Sequence, residues 1–259
     1  MKDILSEIIE NKRVEVKEQK KAISIEELQE QTKQRMPISL RQALLSSTTG
    51  IIAEFKRKSP SKGGINEQAD PQIVTRGYQQ AGASALSILT DETFFGGSLK
   101  DIQTVREQIN LPILRKDFII DEYQLYQARH AGADAVLLIA AALSLEACNE
   151  LTRKAHELNL EVLLELHQEE ELKYITDETD VVGINNRDLG SFHTDVNHSF
   201  ELIRHLPASK VCVSESGISN PDTVKHLRKE GFRGFLIGGH FMSKPDPCQA
   251  LQEFITELR

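Results

Sequence analysis

Short, continuously apolar runs recur along the chain at intervals of about 20 to 35 residues. Eight such runs occupy residues 51–55, 85–89, 111–114, 135–139, 162–164, 181–184, 211–213 and 235–237. Runs that lack alternating polar positions are typical of parallel strands covered on both faces. The pattern therefore predicts eight buried, parallel strands.

Amphipathic segments of helical period separate these runs, as in residues 121–131 and 144–158. Gly82, Gly132 and Gly231 follow such segments, at the position where glycine commonly ends a helix. Eight strand–helix units in 259 residues favour a closed (β/α)8 barrel, the TIM barrel. The alternative is a doubly wound open sheet, but the glycine-rich dinucleotide loop expected after its first strand is missing.

Residues 1–49 precede the first predicted strand, and they are charged and helix-prone. We expect them to form an N-terminal helical extension packed on the barrel of residues 50–259, within one domain. The alternative interpretation is a partly disordered tail.

Composition narrows the classes of partner. The net charge of −8 argues against nucleic acid, while a local basic pocket for an anion is still compatible with it. Cys148, Cys212 and Cys248 are too scattered for a disulfide framework or a metal site, so we expect reduced thiols. No run approaches the roughly 18 apolar residues of a membrane span, and no signal-peptide core follows Met1. These features favour a cytoplasmic enzyme without a membrane partner.

Charged and amide side chains end several of the apolar runs, where a barrel places its active site. They are Glu54, Lys56, Lys116, Glu165, Asn185, Arg187 and Glu215. A lone residue of this kind is usually a solvated charge, but the joint pattern indicates one convergent site. Glu54 lies inside an apolar run and needs a partner, for which Lys56 and Lys116 are the candidates. Burial moves the pKa of lysine and of glutamate toward neutrality, which suits acid–base chemistry.

Two further features suggest a ligand. Ser216-Gly217 and Gly238-Gly239 follow the last two runs, where barrels commonly hold phosphate through backbone N–H groups, although both also suit plain turns. Apolar residues near the strand ends predict a wall for an aromatic ring, with ordinary barrel-to-helix packing as the alternative. These residues are Leu89, Phe94, Phe95, Phe118, Leu137 and Leu189.

Five stretches strongly resemble the indole-3-glycerol phosphate synthase family of tryptophan biosynthesis. They are residues 52–61 (IAEFKRKSPS), 112–118 (PILRKDF), 183–189 (GINNRDL), 214–218 (SESGI) and 235–238 (FLIG). The matches come in order along the whole barrel, and the first and third are long and specific. The helical N-terminal extension also looks like that of the family.

The resemblance implies a reaction that needs no cofactor and no metal. In it, 1-(2-carboxyphenylamino)-1-deoxyribulose 5-phosphate closes to indole-3-glycerol phosphate, and carbon dioxide and water leave. By resemblance, Lys116 is the general acid for ring closure, and Glu165 is the base of dehydration or its partner acid. Glu54 resembles the carboxylate that positions Lys116, while Asn185 and Glu215 resemble the groups that hold hydroxyls and developing charge.

The resemblance also implies how the substrate binds. The implied phosphate ligands are Lys56, Ser216, Gly217, Gly238 and Gly239. Arg187 and Ser59 are expected to orient the anthranilate part, and Leu89, Phe95, Phe118 and Leu137 to form the wall around its ring. The chain departs from the family pattern at Gly239-His240, so we expect a backbone grip on phosphate without a side-chain hydroxyl. We expect His167, which follows Glu165 closely, to start a helix beside the mouth rather than to act in catalysis.

Two other functions fit a barrel less well. The neighbouring isomerase of the same pathway would need a Cys and Asp pair at its strand ends, whereas the first strand here carries Glu54 and Lys56. A catalytically silent binding barrel would be expected to have lost Lys116, Glu165 or Glu54. The sequence favours a monomer and leaves a homodimer open.

Overall fold

The computed structural model describes residues 4–188 and 190–259, and in them eight strands close into a barrel. The strands are β1 (Ile51–Phe55), β2 (Ala85–Leu89), β3 (Ile113–Lys116), β4 (Ala135–Ile139), β5 (Glu161–Leu166), β6 (Val181–Asn185), β7 (Val211–Glu215) and β8 (Gly234–Ile237). Each strand pairs in parallel with its sequence neighbours, and β8 pairs with β1. The predicted (β/α)8 barrel is confirmed.

Helices surround this barrel. They are α1 (Ile4–Ala22), α2 (Ile25–Gln31), α3 (Leu40–Ser46), α4 (Pro71–Ala81), α5 (Glu92–Phe95), α6 (Leu99–Val105), α7 (Glu122–Ala131), α8 (Leu145–Glu157), α9 (Asn197–Leu202), α10 (Pro221–Lys229), α11 (Gly239–Met242) and α12 (Pro247–Leu258). The sequence signals set their ends, since Asp121 and Ser144 cap the N-termini of α7 and α8 through their side chains. Gly132 ends α7 at a φ of 94°, a left-handed conformation that glycine adopts without strain.

The N-terminal extension forms the three helices α1, α2 and α3, which agrees with the predicted helical extension. Each of these helices buries apolar residues. Leu40 and Leu44 of α3 are completely buried and join the apolar cluster inside the barrel. This helix therefore closes the barrel at the N-terminal ends of the strands. Ile8 and Ile9 of α1 are also buried.

The alternation of side chains along each strand selects what faces the barrel interior. Four interior apolar residues each precede a charged residue by two positions: Ile52, Leu114, Leu163 and Val213. Because side chains two apart share a face of a strand, Glu54, Lys116, Glu165 and Glu215 also point inward, one layer nearer the C-terminal ends. An apolar layer thus supports a charged one.

The strand β3 differs from its prediction, since it spans Ile113–Lys116 rather than residues 111–114. It continues through Arg115, which is only 2% exposed, because Asp117 accepts a hydrogen bond from this guanidinium at 2.8 Å. A charged residue can occupy a buried strand when such a partner is present.

Among the described helices, none is both long enough and apolar enough to cross a membrane.

Candidate active site

A cavity of about 500 Å³ opens at the C-terminal ends of the strands. The structure brings together along its lining every residue to which the resemblance assigned a role in catalysis or substrate binding, whereas Phe94, which the sequence also suggested for the ring wall, does not line it. The residues with an assigned role are Glu54, Lys56, Ser59, Leu89, Phe95, Lys116, Phe118, Leu137, Glu165, Asn185, Arg187, Glu215, Ser216, Gly217, Gly238 and Gly239. Leu189, which the sequence suggested for the ring wall, lies outside the described residues.

Lys116 is the centre of the charged layer. Its Nζ lies 3.2 Å from Oε2 of Glu165 and 3.5 Å from Oε2 of Glu215, and both carboxylates are almost completely buried. Glu165 reaches Lys116 from β5, while Glu215 reaches it from β7. Neither oxygen of Glu215 accepts a hydrogen bond from a donor in the described residues. Those oxygens are available to a hydroxyl of a ligand.

The expectation that burial brings these pKa values toward neutrality is correct only for Glu215. Burial raises its pKa to about 8, with the charge of Glu165 adding to the effect and the ammonium of Lys116 opposing it. For Lys116, burial acts to lower the pKa, but the carboxylates of Glu165, Glu215 and Glu54 raise it above its ordinary value. Burial likewise acts to raise the pKa of Glu165, and Lys116 with His167 lowers it well below the ordinary value. Near neutral pH, the layer thus holds an ammonium, an ionised Glu165 and a protonated Glu215.

Glu54 has Lys56 as its ion-pair partner, with Nζ 2.5 Å from Oε1. Lys116 contributes only longer-range attraction to Glu54. Gly238 lies against the same carboxylate, because a Cβ built there would come within 2.3 Å of Oε1 of Glu54. Glycine at this position therefore leaves room for Glu54.

At the ends of β7 and β8, the cavity is bordered by a backbone turn and by a lysine. Ser216 and Gly217 have φ values of 68° and 75°, and a Cβ on Gly217 would meet Cγ2 of Thr194 at 2.6 Å. Both residues line the cavity, so the backbone of this turn borders it directly. Nζ of Lys62 lies 3.9 Å from the Cβ position of Gly239, so this lysine covers the same end.

His240, the departure from the family pattern, lines the cavity. Its ring packs against Phe241 and Phe254 at centroid distances of 5.3 and 5.8 Å. Burial lowers the pKa of His240, and the charge of Lys244 adds to this. The imidazole is therefore neutral near pH 7 and adds no positive charge to the cavity.

The opposite end of the cavity is apolar. The rings of Phe95 and Phe118 lie 6.0 Å apart at an angle of 39°, in the range of favourable aromatic pairs. Arg187 reaches across the mouth, with Nη1 donating to Oγ of Ser61 at 3.2 Å, and Ser61 lies 3.5 Å from Oγ of Ser59. The loops after β1 and β6 therefore meet at the mouth of the cavity.

His167 lies behind the charged layer and is 9% exposed. Its Nε2 approaches Oε1 of Glu165 at 3.3 Å, and its backbone N–H donates to Glu171. The residue precedes a short 3-10 helix at Glu169–Tyr174, which agrees with the expected place near a helix start. The contact with Glu165 was not predicted.

Sequence reasoning missed several residues that line the cavity. Ile4, Leu5 and Ile8 reach it from α1, and Phe192 reaches it from the loop after β6. The apolar stripe of α1 predicts that the helix packs on the barrel, but it does not indicate where. Lys62 directly follows the matching stretch of residues 52–61 and has no distinguishing signal in the sequence.

Known proteins resemble the chain at two levels. The family model for indole-3-glycerol phosphate synthase matches residues 5–254. Curated relatives named indole-3-glycerol phosphate synthase include one from Bacteroides thetaiotaomicron, 62% identical over the whole of both chains, and one from Carboxydothermus hydrogenoformans, 43% identical over 97% of this chain and 99% of that relative.

A solved mutant tryptophan synthase alpha subunit from Pyrococcus furiosus has a TM-score of 0.62, and it covers 81% of this chain and 97% of its own. Because the two sequences are only 15% identical, this structural similarity supports the barrel fold alone. The family model and the curated relatives, in contrast, extend over nearly the whole sequence. The chain belongs to the indole-3-glycerol phosphate synthase family.

Proposed function

We propose that the chain is an indole-3-glycerol phosphate synthase that acts on 1-(2-carboxyphenylamino)-1-deoxyribulose 5-phosphate. One observation carries the proposal. Lys116 lies between Glu165 and Glu215, in a cavity with a ring wall at one end and a basic, glycine-rich edge at the other. A substrate with an aromatic ring, a ketone and a phosphate matches this order.

In ring closure, the aromatic carbon that bears the carboxylate forms a bond to the ketone carbon. The electron pair of the carbonyl moves to oxygen, which takes a proton from the ammonium of Lys116. Carbon dioxide then leaves, and its bonding electrons restore the aromatic ring. The charge on Lys116 favours both the alkoxide and its protonation.

Dehydration follows at the new hydroxyl. The carbon next to nitrogen loses a proton to the carboxylate of Glu165, a double bond forms, and the hydroxyl leaves as water after it is protonated. The proton on the leaving hydroxyl comes from the neutral carboxyl of Glu215, because Lys116 has already given its proton to the ketone oxygen. Glu165 then passes the proton from carbon to Glu215, and Lys116 takes a proton from solvent before the next turnover. Asn185 assists because its side chain lowers the pKa of Glu165, in addition to the larger effects of Lys116 and His167.

The ends of the substrate are held by different chemistry. Phosphate fits the N–H groups around Ser216, Gly217 and Gly239, with the positive charge of Lys62 above them. Lys56 is shared between Glu54 and the anion. We assign the anthranilate ring to the wall of Leu89, Phe95, Phe118 and Leu137, and its carboxylate to the guanidinium of Arg187, which also lines the cavity.

The test is an assay of the purified chain with the ribulose phosphate substrate. We expect a rise of indole fluorescence with one carbon dioxide released per indole formed. Lys225→Met, which removes a surface lysine of α10 paired with Asp222, is a control that should keep full activity. Failure of the unsubstituted chain to form indole would refute the proposal.

Two accompanying predictions concern the cellular compartment and the oligomeric state of the protein. We expect a cytoplasmic enzyme, and localisation of a tagged full-length chain would test this. We also expect a monomer, and light scattering of the purified protein would test that.

A further inference from the structure

A buried lysine outside the barrel connects α1 to the active-site loops. Lys12 lies in the middle of α1 and is 0% exposed. Its Nζ contacts Oε2 of Glu15 at 2.8 Å, Oδ2 of Asp91 at 2.9 Å and Oδ1 of Asp117 at 3.0 Å. Burial acts to lower the pKa of Lys12, but the carboxylates of Asp117, Asp91 and Glu15 raise it above the ordinary value. The side chain is therefore a permanent cation.

Asp91 and Asp117 each begin a loop at the end of a strand. Asp91 comes shortly after β2 and caps α5, with Oδ1 accepting from the N–H of Phe94 at 2.7 Å. Asp117 directly follows β3, and its Oδ1 accepts from the N–H of Phe118 at 2.8 Å. The first loop carries Phe95 and the second carries Phe118, so the two carboxylates fix the backbones beneath the ring wall.

A guanidinium completes the arrangement. Nη2 of Arg115 donates to Asp117 at 2.8 Å, its Nε to Thr90 at 3.1 Å and its Nη1 to the backbone oxygen of Gln124 at 2.6 Å. We call Lys12, Arg115, Asp91 and Asp117 the Lys12 cluster. Its two cations balance its two carboxylates, while Glu15 lies at its partly exposed edge.

The charge balance of the Lys12 cluster depends on α1, because this helix supplies Lys12. Without the charge of Lys12, two buried carboxylates would face one guanidinium, and that guanidinium contacts Asp117. Asp91 would keep no ion pair within residues 4–188 and 190–259. An uncompensated buried carboxylate either draws in water or moves, and Asp91 would take the start of α5 with it.

We propose that Lys12 is a positioning residue, whose ammonium holds the loops after β2 and β3 from behind so that Phe95 and Phe118 form the binding wall for the substrate ring. The inference rests on the proposed function, because that function supplies the ring. Lys12 touches neither the cavity nor the reacting atoms, so its effect passes through Asp91 and Asp117. It therefore concerns ring binding more than the proton transfers of Lys116.

Four forms of the chain test this role: unsubstituted, Lys12→Met, Asp91→Asn and the double variant. Methionine keeps the length and apolar stem of lysine without its charge. Asparagine can still cap α5, so the double variant restores a neutral cluster with an intact cap. Lys20→Met is the matched control, because it removes an exposed lysine of the same helix that pairs with Asp121.

The main readout is the split between KM and kcat. We expect Lys12→Met to raise KM at least tenfold and to lower kcat less than threefold, because a lost ring wall weakens binding of substrate and transition state alike. In the double variant, KM should return most of the way to the value of the unsubstituted chain. The KM of Lys20→Met should stay within twofold of that value. An unchanged KM in Lys12→Met would overturn the inference, and so would a double variant no better than Lys12→Met.

A binding measurement separates ring positioning from general loss of structure. The probes are the alcohol made by reducing the substrate ketone, which keeps the ring, and ribulose 5-phosphate, which lacks it. Lys12→Met should lose at least tenfold affinity for the first probe and less than twofold for the second. Equal losses for both probes would mean that Lys12 only maintains the fold. Absence of turnover in the unsubstituted chain would refute the proposed function itself, a separate outcome.

Discussion

Replacement of Lys116 by methionine tests the centre of the proposed mechanism. The change removes the ammonium between Glu165 and Glu215 and retains most of the side-chain volume. It eliminates the general acid, an effect of about 10²–10⁴-fold in rate. It also removes the main cause that keeps the pKa of Glu165 low.

The second effect has a magnitude that follows from the geometry. Two unit charges 3.2 Å apart attract by about 5 kcal/mol at an effective dielectric constant of about 20. Since one pKa unit corresponds to 1.36 kcal/mol, removal of Lys116 raises the pKa of Glu165 by up to roughly three to four units. Glu165 must be ionised to act as the base. The low-pH side of the activity profile should therefore move upward, from well below pH 5 toward about pH 6.

The assay is indole fluorescence between pH 5 and 9, with Lys225→Met as the control. We expect kcat/KM of Lys116→Met to fall at least 100-fold at pH 8, with a further fall below about pH 6 that the unsubstituted chain does not show. Circular dichroism should show the same helix content in both proteins. Activity within tenfold of the unsubstituted chain, or a pH profile of unchanged shape, would refute this reasoning.

Three further substitutions probe the same layer. Gly183→Ala places a Cβ 2.2 Å from Oε1 of Glu215, so we expect a kcat at least tenfold lower and a melting transition that is lowered but still cooperative. Glu215→Gln should raise the free energy of unfolding by an amount that grows as pH rises from 4.5 to about 8. Urea unfolding at pH 9 should show a gain of up to roughly 5 kcal/mol. The reason is that the raised pKa of Glu215 makes its ionised form unfavourable in the folded state, whereas glutamine stays neutral. A constant difference would contradict this. His167→Asn should move the low-pH limb upward by less than Lys116→Met, because Lys116 affects Glu165 more strongly; the pH profile of kcat/KM measures it.

The strand pattern predicted most of the barrel because its cause is local. A buried parallel strand needs an apolar run, and the ends of β1, β2 and β4 fall where the runs end. The period of two along each strand also places Glu54 above Ile52 and Glu165 above Leu163. Fold and charged layer were thus accessible from neighbouring residues in the sequence.

What the sequence did not indicate depends on contacts between distant segments. Arg115 ends an apolar run, so its place within β3 required knowledge of the buried Asp117. Lys12 has no distinguishing signal in the charged, helix-prone N-terminal segment, and no local pattern reveals that Asp91 and Asp117 contact it. The rise in the pKa of Lys116 was missed for the same reason, since it depends on how many carboxylates converge on it.

Side-chain alternation explains how one short segment serves two charged groups. In residues 115–117, Lys116 points into the barrel, whereas Arg115 points outward and Asp117 turns toward α1. The proposed acid Lys116 therefore lies between two consecutive members of the Lys12 cluster in the sequence, Arg115 and Asp117. A disturbance of either group changes the position of the same strand end.

Charge balance distinguishes the two groups. The Lys12 cluster has equal numbers of cations and carboxylates, so it is neutral with all its members ionised. The inner layer has two ammoniums, Lys56 and Lys116, facing three carboxylates, Glu54, Glu165 and Glu215. A buried site with this excess reaches neutrality by binding a proton on the carboxylate with the weakest pairing. Glu215 is that carboxylate, because its contact with Lys116 is the longest of the three at 3.5 Å. The proposed dehydration requires a proton near the hydroxyl. Glu215 carries that proton because the inner layer has one more carboxylate than it has ammoniums.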